Sequence, residues 1–336
     1  MVGVDDATSI VAAAIAGTLG LKSNAVGAVA AARDKYAARK ILRAAGVQQP
    51  GFRLIQLMDD PHAVASGVRY PCVLKPRTLS ASRGVIRADD AAEFVAARQR
   101  IAAILERPDV DVSGEVAASL LVEDFVPGIE VALEGLLLKG SLRTLALFDK
   151  PDPLEGPFFE ETIYVTPSRL AHSIQAAIAA LTTRACAALG LHEGPVHAEL
   201  RVNEAGPWVI EVAARSIGGL CARTLRFGTG MSLEEIILRH ALDWPIASLE
   251  RERRPAGVMM IPIPRPGRLE AVHGLAEARV VEGIEEVTIS AHRGQELVPL
   301  PEGWQYLGFI FARAETSDGV ERALRAAHAK LCFVIG

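Results

Sequence analysis

Two glutamates, Glu199 and Glu211, are the first candidates for chemistry. They lie in Val196–Gly219 (VHAELRVNEAGPWVIEVAARSIGG). Val196–Val202 and Trp208–Ala213 are rich in branched and apolar residues, and Asn203–Pro207 supplies turn residues, so the stretch reads as a β-hairpin. If the turn closes symmetrically about Ala205, Glu199 sits opposite Glu211. Facing side chains on an antiparallel pair have Cβ atoms about 4.5–5.5 Å apart, where like charges destabilise the sheet unless a cation lies between them. With only oxygen ligands and no Cys or His cluster, that cation is Mg²⁺ or the similar Mn²⁺, which couples one or two carboxylates to substrate phosphates. The alternative is an ordinary hairpin, because an even-numbered loop moves Glu211 to the face opposite Glu199.

Other positions suit a nucleotide phosphate. Lys75 ends the apolar strand Pro71–Lys75, and the loop Leu79–Gly84, with Ser80, Ser82, Arg83 and Gly84, is small, hydroxyl-bearing and basic. With a single glycine it could equally be a surface turn beside a snorkelling lysine. In L-V-E-D-F-V-P-G-I-E an apolar strand, Leu120–Glu123, breaks at Pro127-Gly128 and resumes at Glu130. Backbone that leaves regular pairing there can meet a planar base, and Glu130 can meet a ribose. Arg215 precedes Ser216-Ile217-Gly218-Gly219 and a helix expected from Leu220. That arrangement offers amide N–H groups and a forked donor to an anion.

Length and composition bound the reading. The 336 residues allow two or three packed units, with 50% hydrophobic and 23% charged residues. A formal net charge of -4 without a basic stripe argues against a dedicated nucleic-acid binder. Four scattered cysteines fit reduced thiols in a cytoplasmic protein. The run Ile10–Leu21 follows Asp5 and Asp6 and is too short to span a bilayer, so it reads as an Ala-rich core helix with no membrane role. Met1–Val4 is expected as a strand. Helices are expected over Ala7–Leu19, Ala31–Ala45, Ser168–Leu189 and Ser317–Leu331, and one after Asp89 as N-cap. Ser232 with Glu235 marks another N-terminus. Strands are expected at Phe52–Leu57, Glu130–Leu138 and Ser141–Phe148. Near the C-terminus they are expected at Gly257–Pro264, Glu277–Val281, Glu286–Ala291 and Gly308–Ala312, beyond a boundary near Arg251.

The order Lys35, Lys75 and its loop, E-D-F-V-P-G-I-E, H-A-E-L, I-E-V-A-A-R-S-I-G-G resembles the ATP-grasp superfamily over nearly the whole chain. The nearest likeness is to carboxylate–amine ligases of the bacilysin-synthetase type. Biotin carboxylase and the large subunit of carbamoyl-phosphate synthetase are similar more distantly. The resemblance implies an α+β ATP-grasp fold in which two subdomains sandwich ATP. Residues 1–30 would be the remnant of a Rossmann-like domain and 31–250 the core, with a small subdomain over about 65–125 and a large one over about 126–250. Residues 251–336 would form a strand-rich C-terminal domain. It implies that Lys35 and Lys75 contact ATP phosphates beneath the Ser80–Gly84 loop. The stretch Glu123, Asp124, Phe125 and Val126 would meet adenine, chiefly through the backbones of Glu123 and Val126, and Glu130 would bind ribose. Glu199 and Glu211 would hold Mg²⁺, and Arg215 would stabilise the transferred phosphoryl group. Gly218 and Gly219, with Glu160 and Glu161, would line the carboxylate and amine sites. Many relatives carry Asn where this chain has Ala213, which removes one metal ligand. The implied reaction joins a small-molecule carboxylate, such as an amino acid, to an amine through an acyl-phosphate. Carboxylation with bicarbonate, or nucleotide binding without turnover, stand as alternatives. A homodimer is compatible with the sequence.

Overall fold

The computed structural model describes residues 1–336. Its central element is an eight-stranded antiparallel sheet. In spatial order the strands are Ile284–Ile289, Gly308–Arg313, Ala256–Ile261, Ile163–Thr166, Ser141–Asp149, Ile129–Leu138, Gly194–Asn203 and Gly206–Ala213. It therefore runs unbroken past Arg251, and residues 256–313 extend the sheet that carries the hairpin. Beside it stands a four-stranded antiparallel sheet ordered Phe52–Gln56, Ser119–Asp124, Cys72–Pro76, Ile86–Ala88. A three-stranded sheet joins Glu296–Leu297, Gly267–His273 and Cys332–Ile335.

Strand alternation gives the large sheet two different faces. Val131, Leu133, Leu147, Ala198, Leu200 and Val209 point to one side and pack on the helix His172–Leu189 through Ile178, Leu181, Ala185 and Leu189. Glu130, Glu134, His197, Glu199, Arg201 and Glu211 follow the opposite phase, with Ala132 opposite both Phe148 and Glu199 in the ladder. One small residue among long charged ones leaves room above the sheet. The four-stranded sheet covers the helix Ala91–Leu105 with its own core of Leu74, Ile86, Phe94, Ile101 and Leu120.

The hairpin forms, by a different route from the one expected. Its turn is only Glu204-Ala205, since Asn203 pairs with Gly206, and the register through Leu200↔Val209 is that of an even loop. Continued, it would put Glu211 on the apolar face. A bulge at Ile210 shifts the register by one and restores Glu199↔Glu211. The bulge is held from outside the sheet. Arg39, 3% exposed, donates from Nη1 to the Val209 carbonyl (3.1 Å) and from Nη2 to the Ile210 carbonyl (2.7 Å).

Several expected elements differ. The helix expected over Ala31–Ala45 is two, Val26–Arg33 and Lys35–Ala44, because the Asp34 carboxylate caps the second at Tyr36 and Ala37. Met1–Val4 has no neighbouring strand to pair with and forms none. Asp5 caps the helix Asp6–Thr18, which turns Ala12, Ala13 and Ala16 inward and leaves Val11, Ile15 and Leu19 exposed, so it is a surface helix and not a core one. Glu277–Val281 lies in and just beyond the helix Leu275–Arg279, where Leu, Ala and Glu favour helix after the left-handed Gly274. The helix expected from Leu220 is a single 3₁₀ turn, Cys221–Thr224. Asp90, not Asp89, accepts from the Glu93 amide at the next helix start. Cys72, Cys186 and Cys221 are buried and Cys332 is exposed, none of them paired. No helix is long and apolar enough to cross a membrane.

Removing Arg39 leaves two bulge carbonyls and the buried Glu123 carboxylate short of a partner. We expect Arg39→Met to cost about 3–5 kcal/mol, the range for breaking a buried ion pair on one side. Urea unfolding followed by circular dichroism measures it, and a loss below about 1 kcal/mol would show that the bulge holds without this side chain.

Candidate functional site

Between the two larger sheets lies a cavity of 1090 Å³. Its lining includes Lys35, Lys75, Ser80, Ser82, Glu123, Asp124, Phe125, Val126, Glu130, Glu161, Glu199, Glu211, Arg215, Gly218 and Gly219. The sequence candidates from six separate segments thus meet around one space. Arg83 and Gly84 stand outside it. Arg83 is buried against Asp109 (2.7 Å), and the Gly84 amide donates to the Pro301 carbonyl (2.9 Å). A Cβ on Gly84, whose φ is +70°, would lie 2.8 Å from Cγ of Pro76, so this glycine closes the loop. In the loop itself Ala81 and Ser82 both have left-handed φ values, 53° and 55°. Such a conformation costs an L-residue roughly 1–2 kcal/mol and is kept where the backbone is aimed for a purpose.

The two lysines are placed differently. Lys35 opens its helix just after the Asp34 cap, and its Nζ donates to the Leu79 carbonyl (2.8 Å) and lies 3.2 Å from Glu211. It therefore ties the phosphate-type loop to the second hairpin glutamate. Lys75 pairs with Glu123 at 2.7 Å, and Glu123 pairs with Arg39 at 2.5 Å. Burial by itself would raise the Glu123 carboxyl, but the charges of Arg39 and Lys75 and their hydrogen bonds outweigh it and bring it down to about 2. The Glu123 side chain thus holds two cations in place and leaves only its backbone for a base.

Sequence reasoning missed the residue at the centre. Lys150, following the strand Ser141–Asp149, buries its ammonium among Glu130 (2.8 Å), Glu161 and Glu199 (3.2 Å). Oxygens of these three acids lie within 4.8 Å of one another. Burial disfavours charge on Lys150, yet the carboxylates raise its affinity for a proton above the ordinary range. Burial and the neighbouring Glu199 push Glu161 up to about 7, whereas Lys150 and His197 overcome burial at Glu199 and keep it ionised. The register could have revealed the rest. His197 is two residues before Glu199 on the same face, and Glu134 lies opposite it in the ladder. Their side chains bond, and the other Glu134 oxygen accepts the Ile217 amide (3.1 Å). Arg201, also missed, bonds Glu130 (3.0 Å), the Val126 carbonyl (2.8 Å) and the Leu154 carbonyl. It therefore fixes the E-D-F-V-P-G-I-E hinge and uses the Val126 carbonyl expected to face adenine.

The C-terminal residues supply a wall that the sequence did not announce, through Ser290, His292, Trp304, Tyr306 and Phe309. Gly219 has φ +60°, and a Cβ there would stand 3.1 Å from the Phe309 ring, so the loop after Arg215 is fitted against this wall.

The donor set for a metal is carboxylate only. Glu199 and Glu211 face each other, and each already attracts a cation, Lys150 and Lys35 respectively. These residues suit a hard divalent ion with oxygen ligands.

Residues 68–224 match the ATP-grasp domain family, and residues 259–336 match the family described as L-amino acid ligase C-terminal domain 2. The fold superposes on an L-amino acid ligase from Bacillus licheniformis with a TM-score of 0.82 and 30% identity, over 96% of this chain and 78% of that one. Among curated proteins, alanine–anticapsin ligase of Bacillus subtilis (strain 168) is 27% identical over 66% of this chain and 49% of its own. Dapdiamide A synthase of Enterobacter agglomerans is 28% identical over 72% of this chain and 57% of its own. The chain thus spans about half the length of these curated relatives.

Glu123 gives a pH test whose sign is fixed. Its carboxyl is depressed on folding, so its contribution is complete above the ordinary value of 4.5 and is lost as pH falls through about 2. We expect the melting temperature to fall over that interval, and Glu123→Gln to lower it at pH 7 while flattening the acid decline. An acid decline of unchanged steepness in Glu123→Gln would place its origin elsewhere.

Proposed function

Since the chain belongs to the ATP-grasp ligases of the L-amino acid ligase type, we propose that it joins a carboxylate, an amino acid, to an amine through an acyl-phosphate, releasing ADP and phosphate. One observation carries the reading: Lys35, Lys75, Glu199, Glu211 and Arg215, distant from one another along much of the chain, converge on one cavity. A carboxylate is a poor acyl donor because its leaving group would be oxide. Transfer of the γ-phosphoryl group to it makes a mixed anhydride that an amine attacks with phosphate leaving. In such a transfer the protein mainly positions groups and offsets charge.

The roles follow from placement. Lys35 and Lys75 flank the Ser80–Ser82 loop and serve the phosphates. Glu123–Val126 and Glu130 border the nucleotide's base and ribose, with Arg201 setting the hinge. Glu199 and Glu211 would hold Mg²⁺ or Mn²⁺. Such an ion, when bound, offsets phosphate charge and orients the phosphoryl oxygens. Arg215 and the Gly218-Gly219 turn face the reacting carboxylate, and Glu161 faces the incoming amine, whose proton it is placed to accept. Residues 31–250 act as the ATP-grasp core, and 251–336 close the substrate end with the wall from Ser290 to Phe309.

We expect Glu211→Gln to lose nearly all Mg²⁺-dependent ADP release with amino-acid pairs while remaining folded. Unchanged Mg²⁺ and nucleotide titrations in that variant would reduce the hairpin to ordinary sheet. Arg215 acts on charge that develops during transfer, so Arg215→Ala should lower kcat by about 10²–10³ and change the KM for ATP far less. In wild type, ¹⁸O placed in the substrate carboxylate should appear in released phosphate. Label-free phosphate during confirmed amide formation would exclude the acyl-phosphate route. Nucleotide binding without ADP release from any pair would favour a protein that binds and does not turn over.

A further inference from the structure

Arg215 does not face the cavity alone. Its Nε is 2.9 Å from Oδ1 of Asp6 and its Nη2 is 3.1 Å from Oδ2, a bidentate pair, while Nη1 donates to the Ser216 carbonyl at 3.0 Å. The two side chains are only 13% and 17% exposed. Asp6 is the first residue of the helix Asp6–Thr18, and it lines the cavity beside Arg215. The neighbouring Asp5 cannot replace it, because the Asp5 carboxylate caps the helix at the Thr8 amide, 2.7 Å away.

An arginine meant only to attract phosphate would be better left unpaired, since a bound aspartate cancels most of its charge toward a third group. The pair makes sense geometrically. Guanidinium carries five N–H groups in a rigid plane. Asp6 takes one on Nε and one on Nη2, and Ser216 takes one on Nη1. One N–H on each of Nη1 and Nη2 is left, the spacing that meets a carboxylate or phosphoryl group in two parallel bonds. We infer that Asp6 is the positioning residue for Arg215: it fixes the guanidinium plane for the reacting acyl-phosphate and restrains its ground-state affinity for phosphate anions. This rests on the role given to Arg215 above.

Two variants separate the two effects. Asp6→Asn keeps the shape of the side chain and removes its charge, and Asp6→Glu keeps the charge and moves the fork. We expect kcat for ADP release to fall about 10–100-fold in both, the size of loss found when a partner that orients a metal ligand is removed, with the KM for ATP within about twofold. Inorganic phosphate should inhibit Asp6→Asn at several-fold lower concentration than wild type and inhibit Asp6→Glu at the wild-type concentration. A purely structural role for Asp6 would not produce that contrast. The double variant Asp6→Asn/Arg215→Ala should be no slower than Arg215→Ala alone. Wild-type turnover and phosphate inhibition in Asp6→Asn, beside a crippled Arg215→Ala, would overturn the pairing and leave the proposed function standing. Full turnover in Arg215→Ala would overturn the placement of Arg215 and the pairing with it. Additive losses in the double variant would show that Asp6 acts through some other group.

Discussion

The guanidinium of Arg39 is the contact on which the two halves of the site depend. It lies on the helix Lys35–Ala44, yet none of its main partners is helical. It holds Glu123 on the small sheet and the Val209 and Ile210 carbonyls on the large one. Glu123 in turn holds Lys75. One buried cation therefore links Lys75, through Glu123, to the strand of the hairpin glutamates. A rigid planar fork suits the task, because lysine would offer a point charge without fixed directions. Burying such a group is costly unless every donor is matched. Here Nε, Nη1 and Nη2 each find an oxygen, and Gln49 returns a bond to the Arg39 carbonyl at 2.8 Å.

The same pairing rule holds across the cavity. Glu130 is shared by Lys150 and Arg201, Glu199 by Lys150 and His197, and Glu211 faces Lys35. The acids stand close together because protein cations already lie among them. A divalent ion at Glu199 and Glu211 would therefore compete with Lys150 and Lys35. Ala213 pairs with His197 across the ladder. Ala213 thus stands opposite an imidazole already bonded to Glu134.

Legibility in the sequence followed locality. Glu199 and Glu211 were readable because strand alternation and a turn nearly suffice to pair them. The pairing nonetheless depends on a bulge that no turn rule reveals and that an arginine 170 positions away sustains. Lys35, Lys75 and Arg215 were readable from their order along the chain, which is a statement about family and not about geometry. Lys150 was invisible. It lies between Asp149 and Pro151 in a polar stretch that reads as surface, and only the closure of three strands around it makes it buried. Arg83 shows the reverse. A basic residue in a phosphate-type loop reads as a ligand, but the loop turns it away from the cavity and buries it against Asp109.

The C-terminal wall and the hairpin glutamates reach the cavity from different parts of one sheet. The hairpin with the candidate metal ligands is one edge, and Gly308–Arg313 and Ile284–Ile289 form the other. The segment between those last two strands brings Ser290, His292 and Trp304 to the cavity. Trp304 is largely exposed, as are His292 and Arg293, so these side chains can change without disturbing a core. Tyr306 and Phe309 are more enclosed, and the Phe309 ring together with the left-handed φ of Gly219 makes a side chain at that position tight and strained. The wall therefore has a fixed base fitted to the loop after Arg215 and a variable rim open to solvent. Loops carried on a rigid scaffold vary most readily. The rim is thus the part of the cavity lining that can vary with the buried lysine and arginine network left intact.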